Sequence, residues 1–315
     1  MTLGAPVAAA LDLGSNSVHL LVSVIAGHRL RPIADESVFL GLGAAVDARA
    51  HLGEADRTAL VATLDRYATT ARRLGATAIA LLGTEPIRRA ADAPRIVAEV
   101  ARGTGLPLYV LSHEEEAYLT FIGVSGGWPV EHETLVVDIG GGSSEFCAVA
   151  PDGPARAAGL RIGSNGLTRR FATTDPVGEA ALLAMASAAD MTLAGALPAQ
   201  PAEVVIVGGT ASNLLKVTAA GTRDLVLTTA RLDEAIANIR SAPAAEITTR
   251  FAVNPKRGPL LAAGAVIVGA LMRRYGVDRL RVSDASLREG AILVIDHAGQ
   301  AWRDRLPSLA HGWKA

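Results

Sequence analysis

The stretch that most constrains this chain runs from Leu135 to Glu145, Leu-Val-Val-Asp-Ile-Gly-Gly-Gly-Ser-Ser-Glu. A short apolar run bounded by turn residues reads as a buried strand. Three consecutive glycines then let the backbone take conformations that a side chain would forbid. The product is a tight turn lined with bare N–H groups, a concavity suited to phosphate oxygens. Asp138 stands at the strand end just before the turn, where its carboxylate offers a hard oxygen ligand to Mg²⁺. One strand thus carries a phosphate cradle (Gly140, Gly141, Gly142, Ser143) and a metal carboxylate together.

The same grammar occurs near the start of the chain. Residues 7–13 form an apolar strand running into Asp12-Leu13-Gly14-Ser15-Asn16-Ser17. Residues 18–25 resume as a second strand, as residues 145–149 do after the later motif. The repetition predicts an internal duplication, with two related domains facing each other across a cleft and each contributing one phosphate-holding turn. The breaker cluster Ser125-Gly126-Gly127-Trp128-Pro129 sets the boundary. The expected domains are residues 1–125 and 126–315, the last helix closing the second domain or crossing back onto the first.

Between the two motifs, residues 54–74 read as an amphipathic helix with Leu60, Leu64, Tyr67, Ala71 and Leu74 on one face. Residues 77–82 form a strand that ends in a turn, Gly83-Thr84-Glu85-Pro86-Ile87-Arg88-Arg89. Its two arginines sit close to the predicted sheet edge, where a rigid fork of donors suits a polyanion. Asp92 and Pro94 mark the start of a helix reaching Gly103, and residues 108–111 form the next strand.

Ser112-His113-Glu114-Glu115-Glu116 follows. Ser112 and Glu115 have the spacing of a capping box, so Glu115 has a structural reason to exist, and Glu114 complements the helix dipole. Glu116 has neither role. It is turned by about 100° from Glu115, free to orient and deprotonate an attacking water as a general base.

In the second half, Gly163-Ser164-Asn165-Gly166 reads as a plain loop in preference to a further phosphate-holding turn, followed by an Ala-rich helix over residues 179–197. Residues 204–207 form a strand ending in Gly208-Gly209-Thr210 with a helix behind it, an arrangement whose free N–H groups and dipole favour an anion at Gly209 and Thr210. Helices are expected over residues 231–239 and 260–272, and the last strand over residues 280–283.

Composition excludes several functions. Basic and acidic residues nearly balance at a net charge of −1, and aromatics are only 4% of the chain, so neither a basic stripe nor a stacking platform for nucleic acid can be built. The single cysteine, Cys147, rules out an intrachain disulfide framework and suits a reducing cytoplasm. The N-terminus lacks a basic region followed by an apolar one, which argues against a signal peptide. The uncharged run over residues 259–272 falls short of the roughly 20 residues that span a bilayer and reads as a buried helix.

Taken together, the ordered motifs at 12–17, 83–88, 112–119, 137–145, 208–210 and 287–290 make the chain resemble the exopolyphosphatase / guanosine pentaphosphate phosphatase family. The resemblance implies an α/β fold of two related actin-like ATPase (ribonuclease H-like) domains around a cleft. It makes Glu116 the catalytic base, Asp138 the Mg²⁺ ligand with Glu145 assisting, and Arg88, rather than Arg89, the arginine that grips the phosphate chain. The turns at Gly14-Ser15-Asn16 and Gly140 to Ser143 would hold terminal phosphates, with Gly209 and Thr210 adding a further contact.

Mg²⁺ is the implied cofactor, with Mn²⁺ as the alternative. The implied substrate is inorganic polyphosphate or guanosine pentaphosphate (pppGpp), with no nucleic-acid or membrane partner and with a homodimer allowed. Two departures are visible. No His-Asp dipeptide of the longer relatives' C-terminal extension occurs, and a Gly-Gly-Thr turn stands where Ser-Gly-Thr is usual. The first points to short polyphosphate chains. Two rivals share the superfold: a small-molecule kinase, which would transfer phosphate from ATP to an acceptor, and a polyphosphate or alarmone sensor, which would bind without turnover.

Overall fold

The computed structural model describes residues 5–314. In chain order the elements are β1 (Val7–Leu13), β2 (Ser17–Ala26), β3 (Arg29–Phe39), α1 (Leu42–Arg49), α2 (Glu54–Arg73), β4 (Ala78–Gly83), α3 (Glu85–Arg89), α4 (Ala93–Thr104), β5 (Leu108–Val110) and α5 (His113–Ser125). There follow β6 (Thr134–Ile139), β7 (Ser144–Val149), β8 (Arg156–Leu160), α6 (Ser164–Phe171), α7 (Glu179–Leu193), β9 (Glu203–Val207), α8 (Gly208–Lys216), β10 (Val226–Thr228) and α9 (Thr229–Arg240). The chain closes with α10 (Ala244–Arg250), α11 (Leu261–Tyr275), β11 (Arg279–Val282), α12 (Leu287–Ala298) and α13 (Trp302–Leu309).

Two compact units result. The first comprises Met1–Val130, Pro151–Ala155 and Ala285–Ala315, and the second Glu131–Ala150 and Arg156–Asp284. The first unit holds a sheet of order β3-β2-β1-β4-β5 and the second a sheet of order β10-β11-β9-β6-β7-β8. In each, three strands run antiparallel in succession and further ones add in parallel beside the first, β4 on β1 and β5 on β4, β9 on β6 and β11 on β9, while β10 pairs antiparallel with β11. The duplication read from the two Asp motifs is therefore a duplication of whole sheets, with β10 an added edge strand.

In the first unit, alternate residues of β1 divide between two faces. Leu11 and Leu13 join Leu20, Leu81, Leu60, Leu64, Tyr67 and Val100 in one apolar core under α2 and α4. Leu74, expected on that face, lies just past the end of α2 and is exposed, because the helix stops at Arg73. The buried alanines Ala8 and Ala10 fall on the other face of β1, and α12 packs against this strand.

The contact of α12 with α5 is close enough that a Cβ at Gly290 would fall 1.8 Å from the Leu119 carbonyl oxygen, and one at Gly123 would fall 1.9 Å from that of Ser286. The segment from Ala285 onward, placed by sequence in the second domain with a return to the first left open, thus belongs to the first unit.

In the second unit Leu135, Val137, Ile139, Phe146, Val204 and Ile206 pack against α7, α9 and α11. Helix α11 is buried along almost its whole length, which accounts for the uncharged run, and no helix among the described residues is long and apolar enough to cross a membrane. Cys147 is buried in β7, where burial pushes its thiol up from the ordinary value.

Some local expectations change. Gly163-Ser164-Asn165-Gly166 is the start of α6 rather than a loop, because the Ser164 and Asn165 amides bond the Gly140 and Gly141 carbonyls at 3.2 and 2.9 Å and orient the first turn. The stretch after Gly83 is a short helix rather than a turn, its Ile87 and Arg88 amides both closing on the Thr84 carbonyl.

Candidate active site

In each unit the candidate residues gather at the carboxyl ends of the parallel strands, the edge at which open α/β sheets hold ligands. In the first unit these ends carry the turn Gly14–Asn16 after β1, the helix α3 after β4 and the start of α5 after β5. The Gly14 amide closes the turn on the Ser17 carbonyl at 3.1 Å. The turn's own carbonyls are occupied, Asn16 accepting from Leu40 and Gly41 and Ser15 from Gly43. Ser15 Oγ donates to Glu85 Oε2 at 3.0 Å, which ties the turn to α3.

The two arginines of α3 diverge. Arg89 is held by Glu85 at 2.5 Å and Asp47 at 2.6 Å. Arg88 turns to the start of α5, donating from Nη1 to the Leu111 carbonyl at 2.6 Å and to Glu116 Oε2 at 3.1 Å. Its Nη2 lies 3.0 Å from His113 Nδ1. A guanidinium can only donate, so Nδ1 accepts and the imidazole carries its proton on Nε2. Burial first, and the Arg88 cation second, hold His113 below its ordinary value and keep it neutral, against a weaker upward pull from Glu114 and Glu85.

The three glutamates of α5 separate as their spacing implies. Ser112 and Glu115 form the capping box, with amide contacts of 3.2 and 2.8 Å, and Arg303 of α13 forks onto the Glu115 carboxylate at 2.6 and 2.7 Å. Burial pulls the Glu115 carboxyl upward, but the Arg303 fork and the Ser112 amide outweigh it and leave it below the usual range. Glu116, 6% exposed, points instead to Arg88.

In the second unit Asp138 and Glu145 are direct register partners across β6 and β7, so their side chains project on one face of the sheet, opposite the core face of Val137 and Phe146. Burial raises the Asp138 carboxyl to about 6. The hairpin between them is closed by the Gly140 amide on the Ser143 carbonyl at 3.0 Å.

Gly208 begins α8 at φ +91°, and a Cβ there would lie 2.9 Å from Asp138 Oδ1, so only glycine lets the helix start beside that carboxylate. The α8 start therefore brings Gly209 and Thr210 to the same sheet edge as Asp138.

Two residues in these surroundings went unassigned by sequence reasoning. One is His113, quoted there only as part of a helix start. The other is Arg257, whose guanidinium lies over Gly209, 3.4 Å from where its Cβ would be, in a small recess lined by Ser164, Thr210 and Asn213. Burial lowers its pKa, and among the described residues no acceptor or carboxylate pairs with it. A desolvated cation at a helix N-terminus is an anion site in waiting. Its only sequence signal, a Pro-Lys-Arg-Gly-Pro break, says nothing of chemistry.

Among the described residues no three His, Cys, Asp or Glu side chains gather as a metal cage. Mg²⁺ does not require one, since it keeps several waters and takes one or two carboxylates together with substrate phosphates. The paired oxygens of Asp138 and Glu145, one of them a carboxylate that burial makes costly to ionise alone, fit such an ion.

Two mixed sheets of like order, each bearing glycine-containing turns and helix starts at the carboxyl ends of its parallel strands, define a duplicated actin-like ATPase fold. A model of the Ppx/GppA phosphatase family matches residues 21–297, and the chain belongs to that family. Exopolyphosphatase 1 of Mycobacterium tuberculosis is 30% identical over 302 residues, covering 90% of this chain and 86% of the relative. The crystal structure of the Aquifex aeolicus Ppx/GppA family member superposes with a TM-score of 0.81 at 26% identity, over 93% of this chain and 99% of that one. An exopolyphosphatase from Cytophaga hutchinsonii, 20% identical, has the same fold at a TM-score of 0.81, over 95% of this chain and 98% of that one. The protein is accordingly an enzyme, a hydrolase of the phosphatase class.

Proposed function

We propose that the chain is an exopolyphosphatase that removes terminal orthophosphate from inorganic polyphosphate. The observation that carries the reading is the buried Glu116 carboxylate held by Arg88 at the carboxyl edge of the first sheet. It is supported by the Exopolyphosphatase 1 relative at 30% identity. A water oriented by Glu116 attacks the terminal phosphorus in line. A new P–O bond forms to the water, the bridging P–O bond breaks, and Glu116 takes the proton.

Arg88 offers its fork to the phosphate oxygens, and the amides of the turns at Gly14–Asn16 and Gly140–Ser143 stabilise the charge that spreads over them. Asp138 and Glu145 would hold Mg²⁺, or Mn²⁺ in its place, which when bound neutralises developing phosphate charge. Gly209, Thr210 and Arg257 offer a further phosphate contact. Guanosine pentaphosphate is the second reading, supported by the match to the Ppx/GppA family model and by a reacting end chemically like that of polyphosphate. The kinase and sensor readings have no support beyond the shared fold.

The deciding experiment is orthophosphate release, with Mg²⁺, from short polyphosphate, long polyphosphate and guanosine pentaphosphate, for the wild type and Glu116→Gln. Release that falls about 10²- to 10⁴-fold in the variant while binding survives supports the assignment, and the relative rates rank the substrates. Undiminished release by the variant removes Glu116 as the base.

A further inference from the structure

The first unit gives up the chain after Val130 and takes it back for Pro151–Ala155, just before β8 begins. The first of these links leads into β6, which carries Asp138, and the second joins β7, which carries Glu145, to β8. Residues 311–313, which follow α13, hold both. His311 Nε2 accepts from the Ala155 amide at 3.0 Å, and Tyr118 of α5 donates to the Ala155 carbonyl at 3.2 Å. Two residues further on, the Trp313 amide donates to the Gly127 carbonyl at 3.0 Å.

Between these bonds the backbones touch. Gly312 stands at φ +83°, and a Cβ there would lie 2.4 Å from the Pro129 nitrogen, while one at Gly127, at φ +74°, would lie 2.6 Å from the Trp313 ring. Rings complete the contact. His28, in the turn between β2 and β3, meets the indoles of both Trp128 and Trp313, at centroid distances of 4.0 and 5.4 Å, and Trp313 stacks on His297 at 4.6 Å.

The closed arrangement works against itself at one atom. His28 Nδ1 lies 2.8 Å from the Gly126 carbonyl, which can only accept, so Nδ1 carries the proton and Nε2 the lone pair. That Nε2 is buried with no hydrogen-bond partner among the described residues. An acceptor shut away from water without a partner disfavours the state that buries it. Trp128 is 53% exposed, so the ring cluster lies at the surface, where water reaches the nitrogen once Trp313 lifts.

We propose that residues 311–313 are a strap that opens and closes as one piece over both links. Its contacts are few and lie at the surface, the features of a segment that opens at a lower free energy than the whole fold. Because one strap grips Gly127 and Ala155, two sites 28 positions apart (155 − 127) come free in a single opening. The strap thereby governs the mobility of the chain on either side of β6 and β7, whatever the substrate.

The test is amide hydrogen exchange of the full chain, read residue by residue by NMR. No bond or ring contact joins Trp313 to Ala155 among the described residues. Trp313→Ala should nevertheless speed exchange of the Ala155 amide about 10-fold, together with the Gly127 and Trp128 amides. His311→Leu should act on the same three, whereas His311→Gln, which keeps an acceptor on a side chain of similar length, should leave them as in the wild type. Gly312→Ala, whose methyl meets Pro129, deletes no contact and should also speed all three. The amides of β1 and β4 should exchange alike in every variant. Trp313→Ala that leaves Ala155 protected overturns the proposal, and so does His311→Leu that speeds Ala155 alone, since the two contacts then open independently. Faster exchange reaching β1 and β4 to the same extent overturns it as well, because the contacts then part only with the whole unit.

Discussion

Arg88 Nη1 donates to Glu116 Oε2 at 3.1 Å, from a short helix after β4 to the first turn of the helix after β5. The same nitrogen reaches the Leu111 carbonyl, and Nη2 reaches His113, so one planar fork spans three acceptors. Lysine keeps the charge but cannot span them. Arg88→Lys should therefore lower phosphate release by about 10²-fold with its circular dichroism unchanged. Wild-type turnover in this variant would remove Arg88 from the machinery.

His113 makes the acid side of the pH profile informative. Its folded value lies below the ordinary 6.5, with burial the largest cause. Between those two values the unfolded chain binds the extra proton, so this contribution to stability is complete above 6.5 and is lost as pH falls from there towards the folded value. Protonation also ends the acceptance of the Arg88 hydrogen. His113→Gln, which does not titrate, should flatten that part of the stability curve measured by urea unfolding. An identical slope in the variant would assign the acid sensitivity to other groups.

Asp138 works in the opposite sense. Burial raises it from 3.8 to about 6, so in the metal-free protein its ionisation opposes folding increasingly as pH rises between those values. Asp138→Asn should raise the thermal midpoint at neutral pH without metal, whereas added Mg²⁺ should raise that of the wild type and leave the variant's unmoved. An equal Mg²⁺ response in both proteins would place the ion elsewhere.

The α5 and α12 contact leaves no room for a methyl group. Gly290→Ala would drive a Cβ to 1.8 Å from the Leu119 carbonyl oxygen, and neither backbone can give way without parting the helices. A loss of about 3 kcal/mol is expected in chemical denaturation. A loss below about 1 kcal/mol would mean that the two helices slide freely.

Arg257 lies desolvated over the start of α8, and its burial is offset by no hydrogen bond or ion pair among the described residues. Arg257→Gln should leave stability unchanged or slightly increased while raising KM for the phosphate substrate about 10-fold, with kcat less affected. A fall in stability with unaltered KM would make the residue structural.

What the sequence determined by itself was local. The paired Asp-x-Gly turns, the capping box that sets Glu115 apart from Glu116, and the buried strands around them follow from rules that act over a few residues, and each appears in the fold. Strands β3 and β8 were not visible, because they lack a fully buried face and are defined by pairing with β2 and β7 rather than by an apolar pattern.

Only the tertiary structure decided where α12 goes, which acceptors Arg88 finds and what Arg257 faces. His113 lies 25 positions from Arg88, and Gly290 packs on a helix from the first half of the chain. Such contacts depend on how strands are ordered in a sheet and how closely two backbones approach, neither of which is written in the spacing of neighbouring residues.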